Sequence, residues 1–117
     1  MTKLRAFKTI YDEQVKFQKE VVKKHPYDFE VKDLPDDIVN GFSFHIQQLI
    51  SEIGEILSAD KRWKNYRNDK VDLENKKEEI ADCFIVLMNV AIFSGLTSDD
   101  LEEAICNKIE ENFERIR

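Results

Sequence analysis

Helix breakers are what this chain most lacks. Three glycines and two prolines are spread over 117 residues, and these two residue types disfavour a helix interior most strongly. Long helices with few turns between them are the expected outcome. The breaks fall where the breakers stand. "HPYDFEVKDLP" carries Pro26 and Pro35, and Gly95 follows a long apolar run, where it fits a left-handed helix cap.

Between the breaks, apolar residues recur by threes and fours. A first helix is expected from about Lys3 to Lys24, with Leu4, Phe7, Tyr11, Val15, Gln18 and Val22 on one face. A second begins near Pro35 and runs through "FSFHIQQLISEIGEILSA", with Ile46, Leu49, Ile50, Ile53, Ile56 and Leu57 as its stripe. "DKRWKNYRNDKVD" is the one long polar connection. The third helix starts near Leu73 and ends at Gly95. Thr97, with Asp100 three residues on, reads as a capping box that opens a fourth helix. That helix is expected to bury Leu101, Ala104, Ile105, Ile109 and Phe113. No repeat, linker or low-complexity segment divides the chain. Residues 1–117 are therefore read as a single all-α domain, an antiparallel four-helix bundle.

The third helix adds a constraint. "EEIADCFIVLMNVAIF", residues 78–93, begins charged and is apolar on every side from Cys83 to Phe93, with Asn89 its one strongly polar residue. A helix apolar all round is enclosed all round. Three sibling helices in so short a chain can hardly enclose it. The expectation is a bundle completed by homo-oligomerisation, as a dimer or a tetramer.

Charge and composition narrow the partners. A net charge of −6 argues against a nucleic-acid polymer, which calls for a basic patch. The apolar run is too short to span a bilayer, and "MTKLRAFKTIYDEQ" lacks the apolar core of a signal peptide. Cys83 and Cys106 belong to no CxxC pair and read as reduced core thiols. A cytoplasmic protein is the expectation.

Glu79 and Asp82 stand at the mouth of the greasy segment, and an ionised carboxylate is costly to bury without a compensating charge. They are spaced i, i+3, as are Glu52 and Glu55 in "SEIGEI". Residues three apart on a helix point the same way, so each pair can converge on one ion. If the two helices pack antiparallel, the pairs face each other. Four carboxylates without a His or Cys in either pair make a hard, oxygen-only set that suits Mg²⁺, with Mn²⁺ as a substitute, rather than Zn²⁺ or Cu²⁺. A di-iron bundle would want Glu-x-x-His pairs, which neither pair is. Gly54, a poor helix residue inside the first pair, reads as a close approach by another backbone. The alternative is an ordinary charged surface in a chain with 24 acids.

The pattern E-x-x-E, a spacer, then E-x-x-D resembles the MazG-type all-α nucleoside triphosphate pyrophosphohydrolases, a superfamily that includes dimeric dUTPases and dCTP pyrophosphatases. The resemblance spans roughly residues 42–117. It departs from the full E-E-x-x-E motif at Ser51, as the dCTP pyrophosphatase branch also does. Further support is "NKIEENFER", which places Lys108, Asn112 and Arg115 on one helical face. By resemblance these contact the triphosphate. "KRWKNYR" is similar to the family's W-K stretch, so Trp63 is a candidate to stack on the base and Lys64, with Lys61, Arg62 and Arg67, to draw in phosphates. Asn89, seven residues after Asp82, orients that acid, reads a base edge or makes a structural hydrogen bond. His45, seven before Glu52, has the same choice between ligand and core.

The resemblance implies an Mg²⁺-dependent enzyme that cleaves a nucleoside triphosphate between the α and β phosphorus atoms, giving nucleoside monophosphate and pyrophosphate. Glu52, Glu55, Glu79 and Asp82 would hold the metal, and Glu55 is the candidate proton acceptor. Two rivals use the same residues differently: a nucleotide sensor with negligible turnover, and a helical oligomer whose acidic face binds a protein.

Overall fold

The computed structural model describes residues 6–24, 36–61 and 71–117. Among these residues every regular element is helical: α1 (Phe7–Lys24), α2 (Asp36–Ala59), α3 (Leu73–Ile92) and α4 (Ser98–Ile116). No described helix is long and apolar enough to cross a membrane.

The ends of α3 and α4 follow from local chemistry. Asp72 accepts a hydrogen bond from the Asn75 amide at 3.1 Å and so satisfies one of the free donors at the start of α3. At the other end Gly95 takes φ +84°. The Gly95 amide then donates to Ile92 O and the Leu96 amide to Ala91 O, the reciprocal pair of a Schellman cap. Two residues later the capping box is complete. The Asp100 amide donates to Thr97 Oγ1 at 3.1 Å, and the Thr97 amide donates to Asp100 Oδ2 at 2.9 Å. Hydrogen bonds from the Thr97 amide and then from the Thr97 side chain hold the Asp100 carboxyl below its ordinary range.

α2 and α3 form an antiparallel hairpin in a single register. Gly41 lies against the Phe93 ring, His45 against Asn89, and Asp60 against Lys76. The approach at Gly41 is so close that an added Cβ would sit 2.5 Å from a Phe93 ring carbon. α1 then closes over the C-terminal half of α3. Buried Tyr11 donates its hydroxyl hydrogen to Leu96 O at 2.8 Å, and Gln14 Nε2 donates to Asn89 Oδ1 at 2.8 Å.

Three expectations need correction. Gly54 meets no atom within 4 Å of an added Cβ; the close approach belongs instead to Gly41, and a side chain, the Phe93 ring, makes it rather than a backbone. The stripe of α2 divides: Leu49 and Ile56 are half-buried, while Ile46, Ile50, Ile53 and Leu57 are exposed. α4 buries almost none of its stripe. Leu101 is half-buried, but Ala104, Cys106 and every residue after them are exposed, Ile105, Ile109 and Phe113 included. The reason is placement, since α4 packs on α1 and not along the hairpin. Cys106 is thus a surface thiol, while Cys83 is half-buried.

Candidate metal centre

The register that sets His45 against Asn89 also brings the acid pairs together. Two turns further along α2 come Glu52 and Glu55, and two turns back along α3 come Asp82 and Glu79. One carboxylate oxygen from each of Glu52, Glu55 and Glu79 lies within 4.8 Å of the other two. Glu52 and Glu79 are half-buried, and Glu55 is exposed. Asp82 stands outside this group of three, exposed at its rim, but its charge still acts on Glu52 and Glu79.

The cluster is strained by its own charge. A hydrogen bond with the Glu55 carboxyl raises the Glu79 pKa, and burial and the charges of Glu55, Asp82 and Glu52 add to it. Glu52 is also raised, chiefly by burial and then by Glu55 and Asp82. Like charges at short range disfavour full ionisation, which is why the Glu79 carboxyl holds its proton to higher pH than an ordinary glutamate. Glu52 Oε2 and Glu79 Oε2 are nevertheless buried without any hydrogen-bond partner. Cys83, beside the cluster, has its thiol pushed up by burial and then by all four acids, which keeps it protonated and unreactive.

The other candidates are placed differently. Trp63 and Lys64, with Arg62 and Arg67, lie outside the described residues. Lys108 is exposed and pairs with Glu111 on its own helix at 3.1 Å. Asn112 lines a shallow apolar pocket with Ile109, Phe113 and Ile116, and Arg115 lies exposed in the last turn of α4. α4 packs on α1, so the chain by itself does not carry these three residues to the carboxylates.

Asn89 is 3% exposed, and both ends of its amide are engaged within the chain, by Gln14 Nε2 and by His45 Nδ1 at 3.4 Å. Its visible bonds are structural ones. With Nδ1 accepting, His45 carries its proton on Nε2. The ring stacks on Phe93 with centroids 5.3 Å apart. Burial lowers the His45 pKa, opposed in part by a hydrogen bond with Gln48.

Two residues of interest went unnoticed in the sequence: Asp60 and Lys76, joined across the loop end of the hairpin at 2.7 Å. Lys76 stands three residues before Glu79, a spacing that could have flagged it. No local signal marks Asp60, sixteen residues away. No protein-family model, curated protein or solved structure matches this chain.

Proposed function

We propose that this chain is an Mg²⁺-dependent hydrolase of nucleoside triphosphates, acting as a homo-oligomer and releasing pyrophosphate and a nucleoside monophosphate. The observation that carries the metal half of this reading is the pair of buried, unpartnered oxygens, Glu52 Oε2 and Glu79 Oε2, inside a cluster of three glutamates. A buried carboxylate oxygen without a donor is expensive, and a hard divalent cation fits an all-oxygen set. The triphosphate half rests on the resemblance of the E-x-x-E and E-x-x-D pairs.

Bound there, Mg²⁺ supplies positive charge against the phosphates and acidifies water. Glu52 and Glu79 would be the half-buried ligands, Asp82 would close the rim, and Glu55, exposed and hydrogen-bonded to Glu79, is the group placed to accept a proton from the attacking water. Lys108, Asn112 and Arg115 are assigned to the triphosphate on resemblance alone, and Trp63 and Lys64 to the base and phosphates on the same ground.

Oligomerisation is supported by the outer face of the hairpin. Ile46, Ile50, Ile53 and Leu57 on α2 and Ile80, Phe84 and Leu87 on α3 are all exposed, Ile50 by 67% and Phe84 by 66%. Helical periodicity turns both stripes away from α1 and away from the carboxylates. An isologous pairing of two such faces completes a four-helix bundle, the geometry expected of a dimer. The exposed apolar stripe of α4 favours a second reading, an interaction module for another protein.

The test is pyrophosphate release from a panel of canonical and modified nucleoside triphosphates with Mg²⁺, Mn²⁺ or EDTA, on wild type and Glu79→Gln. Metal-dependent release that Glu79→Gln abolishes is the expected result. A folded oligomer that binds Mg²⁺-nucleotide without turnover is a sensor. A chain that binds neither leaves the interaction module.

A further inference from the structure

A lysine and a glutamate three residues apart on a helix can pair, and this chain does so at several other described positions. Lys108 and Glu111, in the same order and spacing, pair at 3.1 Å, and Glu74 with Lys77 and Glu13 with Lys16 do so at 3.0 Å. Lys76 precedes Glu79 by the same three residues, yet its ion pair is with Asp60 on α2, at 2.7 Å. That bridge is also the least exposed of the described ion pairs, with the Lys76 side chain 26% and the Asp60 side chain 12% exposed. Glu79, meanwhile, keeps Oε2 buried without a partner.

We propose that Asp60 is a positioning residue that holds Lys76 off the carboxylate cluster and so keeps the cluster available to a divalent cation. The inference deepens the metal reading above and depends on it. An ammonium that reached Glu79 from one turn away would satisfy the buried oxygen and neutralise part of the cluster. It would thus compete for the place where the metal's charge is wanted. Asp60 offers the same ammonium a better position: a carboxylate across the hairpin, in a half-closed site at the loop end. The bridge draws α2 and α3 together one layer beyond the acids. It therefore sets both the spacing of the hairpin there and the allegiance of Lys76, the lysine one turn before Glu79 on α3.

The test is Mn²⁺ binding to the full-length protein, followed by electron paramagnetic resonance of the free ion and by calorimetry, with helicity recorded for each variant. The variants are Asp60→Asn, Lys76→Met and the double variant. Wild type is expected to bind, and Asp60→Asn to bind about tenfold more weakly, within the usual span of couplings between neighbouring sites. Removing the released lysine in the double variant is expected to restore affinity. Lys76→Met alone is expected to bind at least as tightly as wild type. Equal affinity in wild type and Asp60→Asn overturns the inference and leaves the metal centre standing. A loss in Asp60→Asn that Lys76→Met fails to repair also overturns it, because the bridge then acts through hairpin spacing alone. Absence of Mn²⁺ binding in wild type removes the metal centre itself, and the inference with it.

Discussion

The hairpin of α2 and α3 is crossed by two polar layers in one register, two helical turns apart. In the inner layer, Asn89 spends its amide on Gln14 and His45, and His45 is stacked on Phe93. In the outer layer, three glutamates converge, and two of their buried oxygens meet no donor. The inner layer is complete within one chain and ties three helices to each other. The outer one is left with like charges and two unpartnered oxygens, which is what the proposed cation would compensate. Buried polar groups are satisfied as a rule, and a bound ion is one of the explanations for an exception, beside strain or a catalytic role.

Substitutions can break or sharpen that contrast. The largest expected effect is in the inner layer. Asn89→Leu orphans the Gln14 amide and His45 Nδ1 together, and each buried orphan costs about 1–3 kcal/mol, so denaturant unfolding should show a loss of roughly 3 kcal/mol. A variant that kept wild-type stability would release Asn89 from its structural role and return it to the ligand candidates. Next comes Gly41→Ala. Its Cβ would stand 2.5 Å from the Phe93 ring, an overpacking that costs about 1–3 kcal/mol. Phe93→Leu in the same chain should recover part of the loss.

The outer layer should respond in the opposite sense. Glu55→Gln removes a like charge and supplies an amide donor, so the metal-free protein should melt a few degrees higher while Mn²⁺ binding weakens more than tenfold. A metal-free protein that is less stable with this substitution would mean the cluster is self-satisfied. The smallest effect is in pH dependence. His45 has a depressed pKa, so its contribution is present above the ordinary value of 6.5 and is lost as pH falls through the lower folded value. Glu79 has a raised pKa, so its contribution is present below 4.5 and is lost as pH rises through the higher folded value. On acidification the inner layer weakens and the outer layer gains. Glu79→Gln should therefore steepen the loss of stability between neutral and mildly acid pH, as a series of denaturant midpoints would record.

Much of this was open to a reader of the sequence. The two carboxylate pairs, the Thr97–Asp100 box and the Gly95 cap depend on spacings of three or four residues, which helical geometry fixes regardless of what surrounds them. The α2–α3 register is a different kind of fact. It follows from which side chains fit across the helix pair, and Gly41 against Phe93 is one such fit that periodicity alone does not reveal. Gly54 misled for the same reason: a glycine in a helix signals tolerance of a neighbour, and only the packed structure says whether one arrives.

Amphipathic stripes carry the same ambiguity. The spacing of Ile105, Ile109 and Phe113 specifies that α4 has an apolar face, but not that its own chain leaves that face open. By itself, then, the sequence determined the helices, their caps and the residues that share a face, because these are set by interactions within a few residues. The tertiary structure alone decided that Glu79 meets Glu55, that Asn89 meets His45, and that Lys76 turns to Asp60 rather than to Glu79. Each of those choices is a competition between a local partner and a distant one, and the energies that resolve it exist only once the helices are side by side.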